Sequence, residues 1–264
     1  HGLRGPNLCH VSACATGGHA IGESMRIVER GDADVVVAGG SEAPLVPLAV
    51  AGFAAMRALE GRNDDPAGAS RPFDRDRDGF VMAEGAGVLV LEALEHARAR
   101  GATIRGEMLG YAATADAAHL ASPLEDGSGA RLCMERAMAD AGVSASDVDY
   151  VNAHATGTPA GDVVEARALR RVFGAHAERL PVSSTKGSTG HLLAAAGAVE
   201  AIFCLRALQT GWLPPTLNLE HPDPDCDLDH DARKARRSYP RVALSNSFGF
   251  GGTNAALVMR RWEG

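Results

Sequence analysis

The sequence is poor in lysine and shows no pairing pattern among its cysteines. Only Lys186 and Lys234 carry ammonium groups among 26 basic residues, so these are positions at which arginine is not expected to substitute. The five cysteines are an odd number and include no CxxC pair. This pattern argues against a disulfide framework and favours free thiols in a reducing compartment.

Charge and hydropathy limit the classes of partner. A net charge of −7 over 264 residues argues against a general nucleic-acid-binding or anionic-membrane role. No apolar run is predicted to reach membrane-spanning length. Apolar residues make up 45% of the chain, enough for the core of one large or two small domains. We therefore expect a cytoplasmic protein that binds neither nucleic acid nor membrane.

Short β-branched runs alternate with helical patterns, which predicts an α/β fold with buried strands. The alternation occurs on both sides of a Gly-bounded break at 101–106, so residues 1–101 and 102–264 are predicted to form two similar halves. The main predicted helices cover 14–30, 48–60, 127–141 and 191–209, and the main predicted strands cover 34–40, 88–91, 107–114, 148–153, 182–184, 242–246 and 255–260.

Four segments place reactive side chains on turns rich in Gly or Thr, where catalytic groups tend to lie. In the first, SACATGG, Cys14 begins the predicted helix 14–30. A helix N-terminus lowers the pKa of a thiol and offers backbone N–H groups to an oxyanion. The alternative is an inert buried cysteine, which is the usual state of a free one.

The second and third segments carry two histidines. His154 follows the predicted strand 148–153 in NAHATGTP, and the alternative role is that of a hydrogen-bonded loop histidine. His191 is predicted to open the apolar helix 191–209, whose positive end would keep the imidazole neutral. Glu200 is the only acid in that helix, so Lys186 is its expected partner, unless Glu200 lies at a solvated edge.

The fourth segment, NSFGFGGTN, is a Gly-rich turn between two predicted strands. Such a turn can present a backbone N–H group and a mobile aromatic ring, here Phe248 or Phe250. The alternative is a plain hairpin turn.

In order and local sequence, the four segments resemble the signature segments of β-ketoacyl-acyl-carrier-protein synthases of the I/II type. The resemblance covers essentially the whole chain and includes RPFD…RDGFV…EGAG and PTLN. The segments HATGTPAGD and GHLLAAAGAVEA are similar to stand-alone type II enzymes, more so than to domains of modular polyketide synthases.

The resemblance implies a thiolase-like five-layer αβαβα sandwich with an incomplete first half, working as a homodimer. It implies that Cys14 accepts an acyl group from acyl carrier protein. It also implies that His154 and His191 bind the malonyl thioester carbonyl and promote loss of CO₂. The enolate would then attack the acyl-Cys14 carbonyl, with the backbone N–H groups of Cys14 and Phe250 as the oxyanion hole.

The resemblance assigns further roles. Thr156 and Thr158 would hold the phosphopantetheine arm, which arrives on acyl carrier protein, so the enzyme itself would bind no cofactor or metal. Phe250, with Phe248 beside it, would gate malonyl entry. Lys186 and Glu200 would set the electrostatics of the site. Arg57 and Arg62 are candidates for carrier-protein docking, and the alternative is that both are solvated surface residues.

Several rival functions remain. A degradative thiolase would need a second cysteine where this sequence reads FGFGG, and a non-catalytic chain-length subunit usually lacks the nucleophile. A type II polyketide ketosynthase performs the same reaction and stays open, as does a plain binding module. A zinc cluster of Cys9, His10, Cys14 and His19 fits no common spacing.

In the family, a segment the size of a small domain precedes the nucleophile turn, whereas 13 residues precede Cys14 here. We expect the 264-residue chain alone to be inactive or poorly soluble.

Overall fold

The computed structural model describes residues 2–230 and 234–264. The α-helices are α1 (Thr16–Glu29), α2 (Pro47–Ala55), α3 (Leu94–Ala99), α4 (Ser128–Ala141), α5 (Pro159–Phe173), α6 (Lys186–Thr189) and α7 (Ala196–Thr210). The strands are β1 (Val35–Glu42), β2 (Gly85–Glu92), β3 (Glu107–Ala115), β4 (Tyr150–Asn152), β5 (Pro181–Ser183), β6 (Trp212–Leu213), β7 (Asp229–His230), β8 (Arg236–Arg237), β9 (Val242–Gly249) and β10 (Thr253–Arg260).

A six-stranded mixed sheet, in the order β3-β10-β9-β4-β5-β7, places the candidate residues at one edge. Strands β9, β4 and β5 are mutually parallel neighbours, so their carboxyl ends lie side by side. His154 follows β4, and Lys186 and His191 follow β5. Phe248 lies near the end of β9. Three segments that are distant in sequence therefore meet at the carboxyl ends of these parallel strands. This is the edge of an α/β sheet at which ligands usually bind.

Two cores lie on opposite faces of this sheet. On one face, α4 and α5 pack over buried residues such as Val151, Leu244 and Val258. On the other face, α1 and α7 pack over Tyr150 and Leu257, and the same core continues to the two-stranded β1–β2 sheet. The described layers are therefore helix, sheet, helix and sheet, with Val37, Val88 and Val90 exposed on the last.

Glycines bring α1 against α7, and this contact fixes the position of Cys14. A Cβ at Gly17 would lie 2.6 Å from the backbone nitrogen of Ala198, and one at Gly197 would lie 2.7 Å from the nitrogen of Gly18. The two backbones therefore approach each other more closely than any larger residue permits. Because Gly17 stands one turn after Cys14, the crossing holds the nucleophile turn beside the segment that carries His191.

Helix α7 and the 3₁₀ turn before it form an apolar stretch of notable length. Leu193–Thr210 has a mean hydropathy of 1.3 over 18 residues. By length and composition alone, this stretch could cross a membrane. The expectation that no run reaches that length was therefore wrong. However, 56% of the stretch is buried in the fold, and core helices share this composition.

Most predicted elements are present within a few residues, but two helices differ. The helix predicted at 48–60 ends at Ala55, and Arg57 has a left-handed φ of 54° that a continuing helix does not permit. The helix predicted at 191–209 begins only at Ala196. Leu193, with a φ of 46°, interrupts it, so His191 does not lie at the helix terminus.

The glycine crossing gives a prediction about stability. Gly17→Ala should lower the free energy of unfolding by about 1–3 kcal/mol, because the new methyl group has no room against a rigid backbone. Gly52→Ala, in α2, is the control, since a methyl there meets nothing within 4 Å and should be neutral or stabilising. Urea unfolding of both variants of the complete gene product measures the difference; equal midpoints would contradict the close approach.

Candidate active site

Cys14, His154 and His191 meet in one buried cluster. The sulfur of Cys14 and one ring nitrogen from each histidine all lie within 4.8 Å of one another. The side chains are almost completely buried, with 5%, 8% and 2% of their surface exposed. The two imidazole rings stand edge to face, with centroids 5.3 Å apart. A thiol and two imidazoles far apart in sequence therefore share one small space, as predicted.

Two hydrogen bonds of the preceding residue hold the turn that carries Cys14. Cys14 lies in a 3₁₀ turn, Ala13–Ala15, directly before α1. Ala13 has a left-handed φ of 48°, a strained value for a residue with a Cβ. The preceding Ser12 accepts a bond on its carbonyl from Thr253 (3.0 Å) and bonds through its hydroxyl to His19 (2.6 Å). These bonds present the Cys14 side chain to the cavity.

The expected lowering of the thiol pKa at the helix start was wrong. Burial dominates and raises the pKa of Cys14 to about 11. The backbone N–H of Phe250 and the charge of Lys186 act in the opposite direction but do not prevail. Burial disfavours the thiolate more than the N–H group and the ammonium can offset. The resting thiol is therefore protonated.

His154 is positioned by a carboxylate that sequence reasoning missed. Both oxygens of the buried Glu165, in α5, accept backbone bonds, from His154 N at 2.9 Å and from Ala155 N at 2.7 Å. The amide of Asn246 donates to the same carboxylate at 2.9 Å. Burial raises the pKa of Glu165 to about 7. The sequence does contain a signal for this role: Glu165 lies on the apolar face of the helix predicted after HATGTP, and a buried acid needs a partner.

His191 is positioned by backbone pairing, again unexpectedly. Its N–H donates to the Val81 carbonyl at 2.7 Å, and its carbonyl accepts from Ala83 at 3.0 Å. The Phe80 ring lies edge to face with the imidazole at 5.4 Å. The segment GFVMAEG therefore supports the histidine as a short strand would.

Both imidazoles are neutral, but the cause differs from the one predicted. Burial holds the pKa of each well below its usual value, and the nearby charge of Lys186 lowers both further. A helix terminus plays no part, because α7 begins at Ala196. The predicted ion pair between Lys186 and Glu200 is present, with side-chain exposures of only 1% and 4%.

The histidines offer unused nitrogens to a ligand. Within residues 2–230 and 234–264, Nδ1 of His154 and both ring nitrogens of His191 are buried and make no hydrogen bond. Buried polar atoms without partners are rare and mark places where a ligand or water completes the pairing. Here they border the cavity.

The cavity has a volume of about 340 Å³ and connects the cluster to the surface. Its wall includes Thr156, Thr158, Phe248 and Phe250. The family resemblance implied that these four residues bind substrate. The hydroxyl of Thr156 donates to that of Thr158 at 3.2 Å. The Phe248 ring lies 5.9 Å from the His154 ring. These four residues are therefore brought together with the reactive cluster.

The two docking candidates are separated by the structure. Arg57 is exposed and lies at the cavity wall. Arg62 does not line this cavity: its guanidinium donates to the carbonyl of Asp76 at 3.3 Å and lies 3.8 Å from the Glu60 carboxylate. The geometry favours Arg57 over Arg62 as a contact for a partner at the entrance.

Comparisons with known proteins agree with this arrangement. A profile described as "Beta-ketoacyl synthase, N-terminal domain" matches residues 1–97, and one described as "Beta-ketoacyl synthase, C-terminal domain" matches residues 105–220. A 3-oxoacyl-[acyl-carrier-protein] synthase 2 of Rhizobium meliloti is 56% identical over 265 residues, covering 100% of this chain and 63% of that protein. The mitochondrial 3-oxoacyl-[acyl-carrier-protein] synthase of Arabidopsis thaliana is 54% identical, covering 98% of this chain and 57% of that protein.

Two solved structures are also similar. A type II polyketide-synthase ketosynthase, in complex with its acyl-carrier protein and bound to the hexaketide, has a TM-score of 0.96 at 39% identity, covering 98% of this chain and 64% of that one. A β-ketoacyl synthase from Burkholderia phymatum has a TM-score of 0.91 at 44% identity, covering 96% of this chain and 60% of that one. The chain spans 63% of the Rhizobium relative's length. The thiolase-like fold is thereby confirmed.

The ion pair gives a prediction about stability. Lys186→Met or Glu200→Leu alone should destabilise the complete gene product by about 3–5 kcal/mol, because each leaves one buried charge unpaired. The double variant should lose less than either single one. Arg131→Met is the control, since it breaks a half-exposed pair with Glu135 (2.9 Å) and should change stability by about 0.5 kcal/mol or less. Additive losses in urea unfolding would show that the two charges do not interact.

The raised thiol pKa gives a prediction about pH. A thiol with a pKa of about 11 is deprotonated only to about one part in ten thousand at pH 7, and the thiolate is the reactive form. The rate of Cys14 alkylation by iodoacetamide should therefore rise about tenfold per pH unit from pH 7 to 10. Peptide mass spectrometry follows Cys14, with the exposed Cys9 as internal control. A plateau of the Cys14 rate below pH 8 would contradict the effect of burial.

Proposed function

The chain belongs to the β-ketoacyl synthase family, and we propose that the protein joins an acyl group on Cys14 to malonyl-acyl-carrier-protein by decarboxylative Claisen condensation. The proposal depends on one observation: the sulfur of Cys14 and one ring nitrogen of each of two buried, neutral histidines lie within 4.8 Å of one another. The wall of the same cavity includes two threonines suited to a polar pantetheine arm.

In the acylation step, the Cys14 sulfur attacks the carbonyl of the acyl thioester. The backbone N–H groups of Phe250 and Cys14 stabilise the oxyanion. The bond to the pantetheine sulfur breaks, and that sulfur leaves with the proton that Cys14 gives up. Because the resting thiol is protonated, the proton transfer accompanies the attack.

In the condensation step, the unpartnered nitrogens of His154 and His191 donate hydrogen bonds to the malonyl thioester oxygen. Loss of CO₂ leaves an enolate whose negative oxygen these bonds stabilise. The enolate carbon attacks the acyl-Cys14 carbonyl, the carbon–sulfur bond breaks, and the Cys14 sulfur regains a proton. The product is a β-ketoacyl group on carrier protein. Neutral imidazoles suit this role because they need no charge in a dry cavity.

Fatty-acid synthesis is the proposed pathway, and polyketide synthesis is the second candidate. The curated relatives named above are 3-oxoacyl-[acyl-carrier-protein] synthases, at 56% and 54% identity. The similar polyketide ketosynthase is 39% identical, although its fold agrees closely. The higher identities favour fatty-acid synthesis. A non-catalytic chain-length subunit is disfavoured because Cys14 is present and faces the cavity.

Acyl carrier protein is the proposed partner, with Arg57 at the cavity entrance contacting it or the phosphate of its arm. The complete protein is further proposed to form a cytoplasmic homodimer. Exposed apolar residues on and around α2, including Leu45, Val46 and Leu48, support a protein–protein contact on that face.

The division of labour between the residues can be tested. With a labelled acyl-acyl-carrier-protein, Cys14→Ala in the complete gene product should abolish covalent acylation. His191→Ala should still accept the acyl group but fail to condense it with malonyl-acyl-carrier-protein. Intact-protein mass spectrometry measures acylation, and formation of labelled β-ketoacyl-acyl-carrier-protein measures condensation.

Cys9→Ser is the matched control, because Cys9 is exposed and lies outside the cavity wall. This variant should behave as the parent in both assays. Loss of acylation in the His191 variant, with its fold intact by circular dichroism, would contradict the assigned roles.

A further inference from the structure

The reactive cluster has the donor set of a soft-metal site. One thiol and two imidazoles are ligands that zinc prefers, and three protein ligands with an open fourth position form a common arrangement. Tetrahedral zinc separates its nitrogen and sulfur ligands by about 3.3–3.6 Å, from bond lengths of about 2.0–2.3 Å. The three candidate donor atoms already lie within 4.8 Å of one another, so small side-chain rotations suffice.

The nitrogens of His154 and His191 are available for coordination, unlike those of His19 and His176. His19 uses both ring nitrogens, with Ser12 and with the carbonyl of Asn254. His176 bonds to the Val148 carbonyl at 2.9 Å. By contrast, Nδ1 of His154 and both nitrogens of His191 have no partner within the described part of the chain. Because both rings are neutral, each has a lone pair to offer.

The charges around the cluster do not prevent a cation from binding there. The ammonium of Lys186 lies near the cluster, but it is paired with the Glu200 carboxylate. When zinc binds, a Zn–S bond forms and the thiol proton leaves to the buffer, with no change of oxidation state. The resulting thiolate supplies negative charge next to the ion, in a cavity that connects to solvent.

A second group of possible ligands lacks free donors and serves as a contrast. Asp74, Asp76 and His221 also lie close together. The Asp74 carboxylate, however, accepts backbone bonds from Asp76 (2.9 Å), Glu220 (2.8 Å) and His221 (2.8 Å). Those bonds occupy the oxygens that a metal would need.

We propose that a soft divalent cation such as Zn²⁺ binds Cys14, His154 and His191 and blocks the site as an inhibitor. Coordination would occupy the sulfur that must attack the thioester and the nitrogens that must hold the malonyl oxygen. Metal binding follows from the geometry alone, whereas inhibition of condensation rests on the proposed function.

The experiment measures binding without any acyl substrate. The complete gene product is dialysed against Zn²⁺ and its bound metal counted, and the rate of Cys14 alkylation is measured with Zn²⁺ or Mg²⁺ present. Zinc should add one equivalent of metal and slow Cys14 alkylation at least about tenfold, whereas Mg²⁺, which prefers oxygen ligands, should do neither. Co²⁺ in place of Zn²⁺ should give a thiolate-to-metal charge-transfer band.

Variants separate this site from other ligands. Cys14→Ser and His191→Ala should each weaken zinc binding at least about 100-fold, and Cys14→Ser should remove the cobalt band. Cys9→Ser should bind as the parent does, and circular dichroism checks each fold. Equal zinc stoichiometry in the parent and in Cys14→Ser, with alkylation unaffected by zinc, would overturn the proposal. Condensation assays then test the proposed function separately, since binding and protection require no carrier protein.

Discussion

A buried ammonium beside two imidazoles sets the chemistry of this site. Lys186 is almost without solvent contact, and its charge is tolerated because Glu200 is bonded to it. Burial alone disfavours protonation of His154 and His191, and the nearby positive charge adds to that effect. The pair therefore helps keep both imidazoles neutral, which is the form that donates a hydrogen bond while leaving one nitrogen free.

Backbone strain and close packing occur next to both Cys14 and His191 and fix their relative positions. Ala13 and Leu193 both have left-handed φ values, 48° and 46°, although neither is glycine. Such residues cost about 1–3 kcal/mol each and persist only where their surroundings fix them. Here the glycine crossing of α1 and α7 fixes both, because Gly17 lies against Ala194 and Ala198. Ala13 directly precedes Cys14, and Leu193 follows His191 by two residues, so the strain lies next to the two side chains that line the cavity.

Sequence patterns predicted the fold class, the strands that converge and the four reactive segments, because buried strands and glycine-rich turns leave local signals. They did not predict what supports those segments. The pairing of His191 with Val81 and Ala83 joins residues far apart in sequence, and no local pattern reveals it. The Cys14 pKa was predicted in the wrong direction because a helix terminus is visible in sequence, whereas the depth of burial is a tertiary property. Glu165 was overlooked because an acid within a helix is ordinarily assigned to the face that contacts solvent.

The properties that suit the cluster to the proposed carbon–carbon bond formation also suit it to metal coordination. Stabilising an enolate in a dry cavity requires neutral imidazoles with unused nitrogens, and a thioester nucleophile requires sulfur. Neutral nitrogen and sulfur donors at short separation are equally the ligands of a soft divalent ion. Adding hydrogen-bond partners to the free nitrogens would exclude the metal, but it would also remove the donors that the enolate needs. The proposed metal binding and the proposed condensation therefore depend on the same three side chains, and access to both is through the cavity entrance.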